Sequence, residues 1–256
     1  MPRRFRVTAA ACRRLARPGP FPRVFLAALL GAFLGLGLPD AAAQSLSDLA
    51  ASSRSAKSGL FESVEFSNSS LEALPQWSRV VGKMRKEGAA FAACAADESQ
   101  CRTAPQRAWR KLVVQAGPLG HKDRIETVNR FFNRWPYKLD IELYGLSEYW
   151  ATPAEFMARS GDCEDYAIAK FYALRQLGFD NESMRIVILW DQIRAIGHAV
   201  LAVYEPDGIV ILDSLSGLIV PDTRYRHYIP QYSMNETTRW SHIHSQKIPQ
   251  SWANRN

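Results

Sequence analysis

Beyond its N-terminus this 256-residue sequence has no long apolar run. A membrane-spanning helix needs about 20 consecutive apolar residues, and nothing after residue 43 comes near that. Cysteine is scarce: four residues are far too few for a small scaffold stapled by disulfides. There is no Gly-X-Y period, no low-complexity block and no internal repeat, which excludes a collagen-like rod. With 47% hydrophobic and 22% charged residues, the chain is not a disordered tail either. No Gly-rich phosphate loop follows an apolar strand, so a nucleotide-binding fold has no support. A distributed charge excess is also missing. The formal net charge is +7, but residues 1–43 hold seven arginines (Arg3, Arg4, Arg6, Arg13, Arg14, Arg17, Arg23) and one acid, Asp40. Removing seven of 32 basic and one of 25 acidic residues leaves 25 against 24, a net of +1. Nucleic-acid binding needs a concentrated positive surface, and no nucleic acid is expected as a partner.

What is present at the N-terminus reads as an export signal. An arginine-rich start precedes an apolar run of 15 residues, Val24–Leu38, and then Ala41-Ala42-Ala43 before Gln44. Small residues there fit an A-x-A cleavage site. The run is short for a span, and Gly31, Gly35 and Gly37 weaken it as a permanent anchor; a retained anchor or a buried core helix are the alternatives. The expected organisation is a signal peptide at 1–43, a mobile lead-in at 44–70, one domain at 71–245 and a tail at 246–256, with a mature protein in the periplasm.

Export changes how the cysteines read. Cys94 and Cys101 are seven apart in a polar, alanine-rich stretch, a spacing that can close a disulfide loop in an oxidising compartment. Two free thiols, or a metal pair with no histidine or second cysteine pair nearby to complete it, are the other readings. Cys12 lies in the expected signal, so Cys163 is left over.

From Leu71 the apolar pattern is helical: Leu74, Trp77, Val80, Val81 and Met84 recur at three- and four-residue steps. Further helices are expected over Gln106–Gln115, ending at Gly117-Pro118, and over Lys122–Trp135, stopping before Pro136. Residues 137–162 look irregular, and a fourth helix starts near Cys163 and ends at Gly178. The period then changes to about two. Arg185–Trp190, Ala199–Tyr204 and Ile209–Leu212 are strands, with weaker candidates at Arg226–Ser233 and Thr238–Ile243. Helices first and strands second, with short links, predict an α+β domain in which N-terminal helices pack on a C-terminal antiparallel sheet.

The chemistry concentrates in Ser160-Gly161-Asp162-Cys163-Glu164-Asp165-Tyr166. Gly161 suits a tight turn, Asp162 an N-cap, and Glu164 and Asp165 a first helical turn. Cys163 therefore stands at or beside the first helical residue, where free N–H groups and the positive end of the helix dipole stabilise a thiolate. The three flanking carboxylates oppose that, so a protonated histidine, a bound cation or both must offset them. Downstream, Gly197-His198 opens one strand and Asp213 closes another across the turn Glu205-Pro206-Asp207-Gly208. If Glu205 pairs with Gly208, Asp213 faces Val200. His198 is then its diagonal neighbour on the same face, within reach of a carboxylate–imidazole bond. A one-residue slip would separate them. Each residue alone has an ordinary structural explanation, as a buried thiol, a satisfied core histidine and a strand-end cap. In the order Cys, His, Asp, on a helix start and a hairpin, those explanations lose weight. His121 fits a helix cap, His227 lies in a tyrosine-rich polar segment, and His242 and His244 are near the C-terminus.

The runs Tyr149-Trp150-Ala151-Thr152-Pro153-Ala154-Glu155-Phe156, Gly161-Asp162-Cys163-Glu164-Asp165-Tyr166-Ala167-Ile168-Ala169-Lys170, Gly197-His198-Ala199-Val200-Leu201 and Leu212-Asp213 resemble those of the bacterial transglutaminase-like cysteine proteinases, over about residues 70–240. The resemblance implies a papain-like, transglutaminase-like fold in which Cys163 is the nucleophile, His198 the general base and acid, and Asp213 the orienting carboxylate. It also implies calcium beside the nucleophile, on Asp162, Glu164 and Asp165, which would answer the charge conflict above. For the type most similar, the implied substrate is a large repeat adhesin cut near its N-terminus, releasing it in biofilm dispersal. The implied regulator is an inner-membrane cyclic di-GMP receptor that sequesters the protease. Asp213-Ser214 departs from the Asp-Asn pair such a protease would carry. A protein-crosslinking transglutaminase, which passes the same thioester to an amine, is the alternative enzyme. A catalytically inactive calcium-binding module is the alternative without catalysis.

Overall fold

The computed structural model describes residues 59–244. The expected signal, most of the lead-in and the tail lie outside them. The first described residues are not a mobile lead-in: a 3-10 turn, Leu60–Glu62, runs into strand β1, Ser63–Asn68, which pairs antiparallel with the last strand. The expected lead-in is corrected from residue 59 on. Its strand was hidden because the alternation is inverted. Val64 and Phe66 point to solvent, whereas Ser63 is buried and Glu65 ion-pairs with Arg185 at 2.6 Å.

Helices follow. Helix α1 (Pro75–Ala96) buries Trp77, Val80, Val81, Met84 and Phe91, the stripe expected from three- and four-residue spacing. Helix α2 (Ala104–Ala116) starts on a capping box in which Thr103 and Gln106 exchange side-chain and backbone hydrogen bonds. A disulfide joins Cys94 to Cys101 between these helices, with Cα atoms 4.7 Å apart, and Arg110 of α2 donates to the Cys94 carbonyl at 3.0 Å. Helix α3 (His121–Phe132) ends before Trp135, since a residue preceding proline is pushed out of the helical region.

Residues 137–162 are not irregular throughout. They hold two short helices, α4 (Asp140–Tyr144) and α5 (Pro153–Arg159), the second begun by a Thr152–Glu155 capping box. Both are too short to show a period. Helix α6 (Cys163–Gln176) is buried along Cys163–Leu174 and forms the axis around which the other helices pack.

The strands β2 (Met184–Asp191), β3 (Ile196–Glu205), β4 (Gly208–Leu212), β5 (Val220–Pro221), β6 (Tyr228–Met234) and β7 (Arg239–His244) complete a seven-stranded antiparallel sheet of order β1-β7-β6-β2-β3-β4-β5. Glu205 pairs with Gly208 and Leu201 with Leu212, the register expected from the turn. One face carries Ile186, Ile188, Ala199, Leu201 and Val203 into the core shared with α6. The other carries Val187, Leu189, Val200, Ala202 and Ile211 against Leu60, Phe61 and Tyr228. Strands covered on both faces have no polar side, so β2 and β3 read as near-continuous apolar runs.

Candidate active site

The site begins with the turn into α6. Ser160, not Gly161, takes a positive φ, 74° with ψ −172°. Gly161 is there for a close approach: a Cβ on it would lie 2.7 Å from Cβ of Asp165. Asp162 stands at the N-cap and its N–H donates to Asp165 Oδ2 at 3.3 Å. Asp165 Oδ1 accepts the Ala151 N–H at 2.6 Å, which straps the 145–152 loop over the helix start. Cys163 is the first helical residue and is buried, with Sγ 3.4 Å from Glu164 Oε2.

Four buried carboxylates crowd this turn. Ligand atoms of Asp162, Cys163 and Glu164 lie within 4.8 Å of one another, and so do those of Asp140, Asp162 and Asp165. Burial, and next the charge of Asp162, holds both Glu164 and Asp165 well above the usual carboxylate range. Burial and Asp162 likewise push Asp140 up to about 7. Such a cluster must share protons or bind a cation. Its donors suit a hard ion: all four carboxylates offer oxygen, and Asp140 Oδ1 is buried without a hydrogen-bond partner among the described residues. Asp140 was invisible in the sequence. It lies in an unremarkable Lys138-Leu139-Asp140 step, and its membership depends on α4 folding back beside the α6 start; its nearest signal is Tyr149, whose N–H binds Asp140 Oδ2.

His198 and Asp213 meet across the β3–β4 hairpin, with Nε2 2.9 Å from Oδ1 and both side chains buried. Asp213 Oδ1 also accepts the Leu215 N–H at 2.9 Å, and Oδ2 accepts the Tyr228 hydroxyl at 2.7 Å. Burial alone would raise this carboxyl. The hydrogen bond and charge of His198, followed by Leu215 N–H and Tyr228, outweigh it and hold Asp213 well below its ordinary range. The carbonyl of Asp213 accepts Asn133 Nδ2 at 2.9 Å, which ties the loop to the C-terminal end of α3.

The start of α6 is felt electrostatically on the sheet. The charge of Glu164 reaches Tyr232 of β6, which pairs with Ile188 of β2. Further along α6, the charge of Asp213 reaches the buried Lys170. The other histidines serve elsewhere. His121 bonds Glu205 at 2.8 Å, and His227 meets the Tyr225 and Tyr228 rings at tilted and edge-on angles. His242 is held between Ser63 and Ser233 at 2.8 Å each, burial lowering its ring to about 4.

A sequence model of the bacterial transglutaminase-like cysteine proteinases matches residues 84–248, which include every residue named above at the helix start and the hairpin. The chain belongs to this family. Among solved structures, LapG of Legionella pneumophila is 27% identical, with a TM-score of 0.51 over 64% of this chain and 91% of that one. Its EGTA-treated form gives the same identity and TM-score over 64% and 92%. A form of that protein described as calcium-bound is 30% identical over 60% of this chain and 83% of that one, with a TM-score of 0.48. No curated protein sequence matches. The fold is therefore transglutaminase-like and the chain a cysteine peptidase by family.

Proposed function

We propose that this protein is a calcium-dependent periplasmic cysteine endopeptidase that cuts the N-terminal region of a large surface adhesin and so releases it from the cell. Cys163 is the nucleophile, His198 the general base and acid, and Asp213 the carboxylate that orients the imidazole. The observation that carries this reading is the buried His198–Asp213 pair at 2.9 Å, in a cysteine proteinase family member whose one described cysteine outside the disulfide opens a helix.

With Nε2–H directed at Asp213, Nδ1 is the ring atom that takes the thiol proton. The thiolate then attacks the peptide carbonyl, and orphan N–H groups of the first α6 turn, that of Cys163 included, stabilise the oxyanion. His198 returns the proton to the leaving amine. Water, deprotonated by the same imidazole, hydrolyses the thioester. Asp213 stays ionised throughout, as its low pKa requires.

Calcium fits the acidic turn. Asp162 and Glu164 would hold it, with Asp140 and Asp165 as neighbouring carboxylates, and its charge would neutralise groups that otherwise oppose a thiolate beside them. As the structure stands, Glu164 accepts the Cys163 S–H, an arrangement that favours neutral thiol. A membrane receptor that senses cyclic di-GMP is the proposed sequestering partner.

The test is cleavage of purified residues 44–256 against long surface adhesins of the same genome, with and without chelator. Wild type is expected to release an N-terminal fragment in calcium and not in EGTA, and Cys163→Ala to release none. Isopeptide-linked products in place of a hydrolysed fragment would favour a transglutaminase. A biological effect that survives Cys163→Ala would favour the inactive binding module.

A further inference from the structure

Tyr228 belongs to β6, on the face of the sheet that carries Val200, and there it closes the hydrogen-bonding shell of Asp213. Asp213 Oδ1 is occupied by His198 Nε2 and Leu215 N–H. Among the described residues, Oδ2 has Tyr228 alone as its hydrogen-bond donor, at 2.7 Å. A carboxylate so deeply buried cannot leave an oxygen unpaired without large cost, so whatever binds Oδ2 sets the rotation of the carboxyl plane. That rotation aims Oδ1 at the imidazole.

The phenol is itself held on several sides. Its ring stacks on Tyr225, with centroids 4.8 Å apart and planes 12° apart, and meets Phe61 and His198 edge-on at 6.0 and 5.8 Å. Burial first, and the charge of Asp213 second, raise the hydroxyl far above its ordinary value. It therefore remains a donor at every pH where the peptidase could work. Two other cations feel the Asp213 charge, Lys170 from α6 and Arg194 from the β2–β3 turn, but no hydrogen bond from either reaches Oδ2.

We propose that Tyr228 is a positioning residue of the catalytic assembly: through its hydrogen bond it fixes the Asp213 carboxylate, and so keeps His198 in the tautomer that accepts the Cys163 proton. The inference rests on the triad reading above and adds a fourth, non-reacting member from a strand that the sequence did not connect with the chemistry.

The experiment needs no knowledge of the substrate. The rate of Cys163 alkylation by iodoacetamide is followed against pH in the calcium-loaded protein, for wild type, Tyr228→Phe, Asp213→Asn and the double variant, with unfolding midpoints beside each. Losing one hydrogen bond to a charged group is expected to slow alkylation about tenfold and to move the pH profile of Tyr228→Phe toward that of Asp213→Asn. The double variant should react no more slowly than Asp213→Asn alone, because the tyrosine acts through the aspartate. The downfield His198 Nε2–H proton resonance should move upfield in Tyr228→Phe. A wild-type rate and profile in Tyr228→Phe, or a tenfold loss that persists undiminished on top of Asp213→Asn, would overturn the proposal. Failure of the triad reading shows separately, as wild-type alkylation in Asp213→Asn and in His198→Ala, neither of which alters Tyr228.

Discussion

Lys170 is fully buried on α6, and its ammonium has no hydrogen-bond partner among the described residues. Burial pulls it down to about 7 from the ordinary 10.5, opposed in part by the charge of Asp213. Because the folded state disfavours the charged form, between about pH 7 and 10.5 the unfolded chain binds a proton that the folded chain does not. Stability from this group therefore rises as pH rises through that window, and the penalty is full below pH 7. Lys170→Met keeps the stem and removes the charge, so it should stabilise the protein at pH 7, by about 1–4 kcal/mol, and flatten the rise toward pH 10. Urea unfolding at both pH values checks it; a lower midpoint at pH 7 would refute it. Cys163 was legible because its meaning is local: a helix start needs only its neighbours. Lys170 and Tyr228 were not, since a lysine in a helix and a tyrosine in a strand look alike whether or not an aspartate from another strand lies against them.

At the scale of elements, the α6 start is a packed turn rather than a flexible one. Gly161→Ala should push Asp165 out of place, because a methyl group there would fall 2.7 Å from its Cβ. The expected result is loss of calcium-dependent stabilisation together with loss of activity, measured by thermal unfolding with and without calcium; an unchanged calcium response would contradict it. The loop between α1 and α2 offers a control. Opening the Cys94–Cys101 disulfide frees a short loop, worth about 2–3 kcal/mol in chain entropy. Cys94→Ser/Cys101→Ser should therefore lower the midpoint while leaving Cys163 alkylation unchanged. The long helices could be read from their period, and strands β2–β4 from short runs rich in Val, Ile and Leu. Strand β1 could not, since its inward residues are Ser63 and Glu65 and its outward ones Val64 and Phe66. Nor could α4 and α5, which span five and seven residues.

For the molecule as a whole, the acidic turn should make stability depend on pH and, if calcium binds there as proposed, on metal as well. Glu164, Asp165 and Asp140 have folded pKa values above their ordinary ones. Their contribution is full below the unfolded carboxylate range and is lost as pH rises toward neutrality. In EGTA the protein should therefore lose stability between pH 5 and pH 8, more than its other carboxylates can return. Calcium should raise the unfolding midpoint by several degrees at pH 8 and by little at pH 5, where protons compete for the same oxygens. Calorimetry at the two pH values decides it. An equal calcium increment at both would mean that the ion binds elsewhere. Outside residues 1–43 the chain has a net charge near +1, which gives those residues little long-range field to draw in a charged partner.

The sequence by itself determined the helix periods, the turn that sets the β3–β4 register, the position of Cys163 at a helix start, and the face shared by His198 and Asp213. Each of these depends on residues close together in the chain, where spacing is geometry. Only the tertiary structure decided that Asp140 joins the acidic turn, that Glu65 draws β1 into the sheet, and that the Tyr228 hydroxyl completes the shell of Asp213. Those contacts join separate elements, and the bond that defines each one exists only after the sheet and helices have packed.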